Sequence, residues 1–240
     1  MMPLPKISTP TYELEVPSLN KVVKYRPFLV KEEKILILAM ESEDPKQIAE
    51  AVKTVISNCV ITRGIKVDQL ATFDIEYLFL NIRGKSVGEN VDILITCPDD
   101  EKTQVPMSVN LDEIKVNFRD DHSRDIKLDD TLTLRMRYPS MQEFIKNNFT
   151  AGSEISVDDT FDMICSCIEQ IYSEEESWAA SDSTKKELQD FLEQLTSHQF
   201  KEIEKFFETM PKLSHVLTVK NPNTGVESEV ILEGLTSFFA

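Results

Sequence analysis

Residues 73–89 read FDIEYLFLNIRGKSVGE, from Phe73 to Glu89, and their periodicity decides the fold. Thr72 stands where an N-cap is expected, and Asp74 and Glu76 put negative charge in a first turn, where the helix dipole favours it. Phe73, Tyr77 and Leu80 share one face, and Ile75, Leu78, Phe79 and Ile82 an adjoining one. Only Asp74, Glu76 and Asn81 interrupt the apolar surface. A helix apolar around most of its girth is buried on more than one side. Arg83 and Lys85 fall in the last turn around Gly84, and Gly88 closes the turn that follows. The stretch predicts a central helix, with the two charges at its end as candidate partner contacts.

Outward from this helix the chain alternates between two periods. TYELEV at Thr11–Val16 and Val22–Tyr25 flank the turn residues PSLN and predict a hairpin, after an extended arm marked by Pro3, Pro5 and Pro10. A helix is expected from Lys31 to Glu41, its apolar block Ile35–Met40 lying under the sheet. Asp44-Pro45-Lys46-Gln47 is a helix start, with Asp as cap and Pro at the first position, and Ile48, Val52, Val55, Ile56 and Cys59 follow at helical spacing. From Asn90 the period becomes two. VDILIT and TQVPMSV predict paired strands, with Pro106 pushing the second to an edge. Phe118–Asp130 is charged and reads as an exposed connector, and Thr131–Arg137 alternates as another strand. Pro139-Ser140-Met141-Gln142-Glu143 is a capping box leading a short helix that bears Phe144 and Ile145.

After a loop at 149–157, Phe161, Ile164, Ile168, Ile171 and Tyr172 predict one helical stripe. SEEESWAASDS reads as a polar linker whose Trp178 is either a lid on the helices or a contact anchor. Leu188–Leu195 and Phe200–Met210 predict two further helices that pack with the first as an antiparallel bundle. His215–Lys220 and Glu227–Leu232 predict a closing hairpin, followed by a terminal turn with Phe238 and Phe239.

Three blocks of this sequence carry a family resemblance. KYRPFLVKEEKILILAM at Lys24–Met40, FDIEYLFLNIRGKSVGE at Phe73–Glu89 and VILEGLTSFF near the C-terminus resemble, in the same order, the baseplate hub family of T-even-like contractile-tailed phages. None of the blocks is a catalytic signature. The resemblance implies a bacteriophage structural protein or assembly chaperone acting by protein–protein binding. Its expected partners are other baseplate and hub proteins in a hetero-oligomeric assembly, and its expected location is the host cytoplasm during tail assembly, with the virion baseplate as a later one.

Composition bounds the alternatives. The 240 residues carry 41% hydrophobic and 28% charged side chains, ordinary for a globular chain with a real core. No apolar run approaches the ~20 residues of a membrane span, and MMPLPKISTP has no apolar segment of the signal-peptide kind. No membrane partner is expected. The net charge of −16 is concentrated in residues 151–210. Such a surface repels phosphate backbones, so no nucleic-acid partner is expected. It is either a solvated face or a complement to a basic protein, and Glu174, Glu175, Glu176 and Trp178 join Arg83 and Lys85 as candidate partner-binding residues.

No catalytic constellation is visible. His122, His198 and His215 are scattered, and no Walker loop, GxGxxG, Gly-x-Ser-x-Gly or His-Glu-x-x-His occurs. The carboxylate runs Asp99–Glu101 and Glu174–Glu176 keep a metal-dependent hydrolase as the alternative enzyme class, and a host-directed acidic adaptor is a third possibility; the expectation is that the protein is not an enzyme and takes no cofactor. Cys165 and Cys167, two residues apart on a helix, point to nearly opposite faces and cannot clamp one metal. Cys97-Pro98-Asp99-Asp100 and Asn221-Pro222-Asn223-Thr224-Gly225 are a pair of knuckle-like turns. The resemblance implies that in relatives the second turn can carry paired cysteines. Here only Cys97 is a zinc-type ligand, so a metal-free relic of a zinc ribbon is expected.

The fold expected is α+β: mixed helices and short antiparallel hairpins, an acidic helical segment and a C-terminal β-hairpin. The expected division is an N-terminal α+β core domain over 1–138, an acidic helical domain over 139–212, and the hairpin and terminal turn over 213–240, packing back on the core.

Overall fold

The computed structural model describes residues 7–141, 143 and 157–234. The fold is α+β, built as two units: residues 1–117 with 212–240, and residues 118–211. Each unit is organised by its own helix-on-sheet packing.

In the first unit, β1 (Tyr12–Val16) and β2 (Lys21–Tyr25) form the N-terminal hairpin, pairing Tyr12 with Tyr25 and Val16 with Lys21. Two helices follow, α1 (Val30–Glu41) and α2 (Pro45–Cys59). Asp44 caps α2 by accepting the Lys46 amide at 2.9 Å. The helix α3 (Thr72–Val87) is the centre. Phe73, Ile75, Tyr77, Leu78, Phe79, Leu80 and Ile82 are all buried, and the helix touches α2, β1, the strands at Lys115–Asn117 and Lys212–Lys220, and the short 3-10 turn at Leu111–Glu113. Burial over most of its girth explains why no broad polar stripe is written into it: Glu76, Asn81 and Arg83 stay partly exposed. The N-cap is Ala71, one residue before the Thr72 expected, and it makes no side-chain cap. At the other end Gly88 takes φ +143°, a left-handed conformation open to glycine, and donates its amide to the Gly84 carbonyl at 3.1 Å.

Strands β3 (Asn90–Thr96) and β4 (Gln104–Asn110) pair antiparallel, with Pro106 opposite Leu94 on a strand that has one neighbour. The three-stranded sheet runs β11–β10–β5, from Glu227–Glu233, Lys212–Lys220 and Lys115–Asn117. Val91, Ile93 and Ile95 of β3 and Leu213, Leu217 and Val219 of β10 meet Tyr77 and Leu80 of α3 in one core. The closing hairpin thus completes the core that α3 begins. Phe238 and Phe239 lie outside the described residues.

One expectation for this unit is overturned. The apolar block of α1 does not lie under a sheet. Ala39 and Glu32 face inward, while Ile37, Leu38 and Met40 stand 51%, 56% and 60% exposed. An unbroken apolar run has no polar face to say which side is covered, and here the covered side is set by a buried ion pair. Arg26 donates to Glu32 at 3.0 Å, the Leu29 amide donates to the same carboxylate at 2.9 Å, and the guanidinium also reaches the Asn58 carbonyl at 2.9 Å.

The second unit holds a four-stranded antiparallel sheet in the order β6–β7–β8–β9: Asp125–Lys127, Thr133–Met136, Ile168–Tyr172 and Ser177–Ala179. Against it pack α4 (Val157–Cys167), α5 (Lys185–Glu193) and α6 (Ser197–Thr209). Thr184 and Thr196 cap the last two with capping boxes. These helices therefore lie with a sheet and do not form the antiparallel bundle expected of them. The charged stretch 118–130, expected as a connector, contains β6 with Ile126 and Leu128 buried. β7 pairs with β6 and β8, which is why residues 118–138 belong with the second unit and not with the N-terminal core. The capping box at Ser140–Glu143 forms, with the Ser140 amide donating to Glu143 at 2.9 Å; Phe144, Ile145 and the loop from 149 to 156 lie outside the described residues.

The helix expected to run from Phe161 through Tyr172 stops at Cys167, and the chain passes directly into β8. Met136 pairs with Ile168 and Arg135 with Gln170, leaving Glu169 as the extra residue of a β-bulge. A bulge shifts the strand's alternation by one. Ile168 and Ile171, three apart, can therefore both be buried, and a helical spacing is imitated by a strand. The following SEEESWAASDS is likewise no linker: it supplies the β8–β9 turn, strand β9 and a 3-10 turn at Ala180–Asp182.

Candidate functional site

The two knuckle-like turns come together in the first unit. Strand β3 delivers Cys97, Pro98 and Asp99, and β10 delivers Asn221 through Gly225. Asn221 is buried and donates from its side-chain amide to both Asp99 oxygens at 3.0 Å, while its own side-chain oxygen accepts the Asn223 amide at 2.8 Å. Thr224 adds a hydroxyl to Asp99 at 2.5 Å, and Asn223 reaches the Thr103 hydroxyl at 2.9 Å. The hydrogen bonds from Thr224 and Asn221 hold the Asp99 carboxyl below its usual range.

The donor chemistry of these turns does not fit zinc. Cys97 is the one soft ligand, its thiol pushed up by burial and by the nearby Asp99 and Asp100, and both oxygens of Asp99 are committed to the other turn. Among the described residues no group of three or more His, Cys, Asp and Glu is arranged to hold a metal. What joins the two hairpins is an amide–carboxylate–hydroxyl network.

The remaining chemistry-bearing residues are similarly used in packing. His122 bonds to Thr209 and Tyr138 at 3.0 Å each and lies tilted against Phe206, and burial pushes its imidazole below its ordinary value. The thiols of Cys59 and Cys165 are raised to about 11, and that of Cys167 to about 12, by burial first of all. These are small apolar core residues and not nucleophiles. A cleft of about 840 Å³ in the second unit is lined by Arg137, Glu143, Asp162, Glu169 and Lys185. Arg137 pairs with Glu143, Lys185 with Asp162 at 2.6 Å, and Glu169 with Arg124 at 2.5 Å. Each of these lining charges has a partner of opposite sign.

The candidate contact residues divide between the units. In the first, Lys85 is bound to Glu89 and, at 3.0 Å, to Asp112, and its ammonium lies 5.9 Å from the Tyr12 ring centroid. Those carboxylates raise its affinity for a proton. Its charge is spent fixing the end of α3 to the turn after β4. Arg83 is half-buried, and burial lowers its guanidinium from the usual value. In the second unit, Glu174, Glu175 and Glu176 form the exposed tip of the β8–β9 hairpin, shaped by the Ser173 hydroxyl accepting the amides of Glu175 and Glu176 at 3.3 and 3.0 Å. Trp178 follows on β9, at the sheet edge, opposite Ile171 and 45% exposed. The sequence brings the glutamates and Trp178 together; the strand that presents them was hidden by their polar neighbours.

The model of the family described as "T4 bacteriophage base plate protein" matches residues 9–240. The chain is 25% identical over 232 residues, covering 95% of itself and 97% of the relative, to the "Baseplate hub assembly protein gp26" of Enterobacteria phage T4. No solved structure matches it. The resemblance carried by Lys24–Met40, Phe73–Glu89 and the C-terminal block thus extends over nearly the whole chain, and the protein belongs to the T4 bacteriophage base plate protein family.

Proposed function

We propose that this protein serves in building the hub of a phage tail baseplate, and that it does so by binding other baseplate proteins without bond chemistry. A baseplate role, structural or in assembly, follows from the family and from the assembly protein it is similar to. The step to binding alone is supported by side chains already committed to the fold: Asp99, His122, the four buried cysteines and the charges that line the cleft are paired or packed.

The surface proposed for a partner is the β8–β9 hairpin. The observation that carries it is the exposed Trp178 at a strand edge, beside three exposed glutamates. An indole half out in water is the kind of anchor that dominates binding interfaces, and an edge strand adds free backbone groups. The neighbouring carboxylates select a basic partner surface. Lys85 has a complete set of internal partners and is the weaker candidate.

The test is complementation of a phage that lacks this protein. A Trp178→Ala chain that folds normally should fail to support tail assembly, while a change at exposed Val216 on β10 should support it. Normal assembly with Trp178→Ala would remove the hairpin from the account. Mass spectrometry of purified tails then distinguishes a permanent part from a chaperone that departs. Activity confined to infected cells, with tails assembling normally in its absence, would favour a host-directed adaptor.

A further inference from the structure

We infer that the solvent face of α1 is a self-association surface, by which two copies of this chain pair antiparallel about a two-fold axis. In the packed helix Glu32 and Ala39 turn inward. Val30, Lys34, Ile37 and Glu41 follow one another down the opposite side at spacings of four, three and four residues, flanked by Leu38 and Met40. Val30 is 79% exposed. Four exposed apolar side chains gathered on one helix face, Val30, Ile37, Leu38 and Met40, mark an interaction surface.

The charge pattern selects the occupant. Lys34 is exposed in the first half of α1 and Glu41 is exposed at its end, seven residues on along the same side, while Lys31 is held by Glu32. An antiparallel copy centred between Ile37 and Leu38 brings Ile37 of each chain level with Leu38 of the other. Lys34 of each chain then comes level with Glu41 of its partner. The same arrangement opposes the two helix dipoles. A two-fold contact is self-complementary by construction: each residue meets its counterpart twice. One Lys34–Glu41 match therefore becomes two per dimer. A foreign partner would need no such internal mirror in the helix.

The test uses the full-length protein in sedimentation velocity over a range of concentrations. The wild type should show a reversible monomer–dimer equilibrium. Lys34→Glu or Glu41→Lys alone changes two matched pairs into repulsions and should weaken the dimer about tenfold or more. The double variant, Lys34→Glu with Glu41→Lys in one chain, restores opposite charges across the axis and should recover the wild-type dimer. Ile37→Asp should abolish it. These positions are exposed, so thermal melts of all variants should stay near the wild type's.

A wild type that remains monomeric at about 100 μM would overturn the inference. So would a dimer indifferent to Ile37→Asp, or single reversals that weaken it with no recovery in the double variant. Protection of α1 that appears only when another baseplate protein is added would assign the face to that protein and overturn the self-pairing.

Discussion

Asp74, in the first turn of α3, accepts the backbone amide of Ser18 at 3.1 Å and its hydroxyl as well, across 56 residues of sequence. The carboxylate is buried, and Ser18 sits in the turn between β1 and β2. One acid therefore fixes the N-terminal hairpin to the central helix.

The first prediction tests that tie. Asp74→Ala should cost about 1–3 kcal/mol, the penalty for removing one side of a buried hydrogen bond, whereas Asp74→Asn keeps an acceptor and should cost less. Burial raises the Asp74 carboxyl above its ordinary value, with the Ser18 bonds opposing. A raised acid disfavours the folded state when ionised. Stability from this group should rise as pH falls through the folded value, and the gain is complete below the unfolded ~3.9. Chemical denaturation at a series of pH values should show wild type gaining on Asp74→Asn as acid is added.

Glu32 predicts the opposite sign. Burial alone would raise its carboxyl, but Arg26, the Leu29 amide and Lys31 together hold it below the usual range. Its contribution is present above the unfolded ~4.3 and is lost as pH falls through the depressed folded value. Glu32→Gln leaves Arg26 without its counter-charge and should cost about 3–5 kcal/mol, while Glu33→Gln on the exposed side should stay within about 0.5. Urea midpoints of the two variants check this.

The network at Asn221 predicts a metal-independent joint. Chelator should leave the melting temperature unchanged, and elemental analysis should find no stoichiometric zinc. Asn221→Ala should lower stability by about 1–3 kcal/mol, because it strips a buried amide from the two hairpins it joins. One tightly held equivalent of zinc would contradict this.

For the β8–β9 hairpin, binding to baseplate proteins should weaken with salt as the Debye length falls toward ~8 Å and below. Changing Glu174, Glu175 and Glu176 together to Gln should remove most of that salt dependence. Trp178→Ala should weaken binding at every salt concentration. Isothermal titration over a salt series separates the two effects.

The sequence makes some of this architecture readable, and the reasons it hides the rest are physical. α3 is legible because an apolar girth and a closing glycine allow few alternatives. The three hairpins are legible from alternation flanked by turn residues. β8 was hidden by its bulge, which gives Ile168 and Ile171 the spacing of a helix. β6 was hidden because Ile126 and Leu128 sit in a run of charges. α1 was found as a helix, but its covered side depends on Glu32 reaching Arg26, a pairing that periodicity does not encode. The meeting of the two knuckle-like turns is implied by their reading as the two halves of a zinc-ribbon relic, although in sequence they share only the proline at their second position. The Ser18–Asp74 tie had no signal at all, since it depends on two segments 56 residues apart.

The central claim is that the first unit is built on α3, and Leu78 tests it most directly. Its side chain is 0% exposed. The single tryptophan lies in the second unit, so fluorescence follows the wrong part of the chain. Hydrogen exchange of the α3 amides in Leu78→Ala, compared with wild type, reads the helix itself. The account predicts protection lowered by about 2–5 kcal/mol, as a large-to-small change in a packed core requires. Unchanged protection of α3 in Leu78→Ala would contradict it.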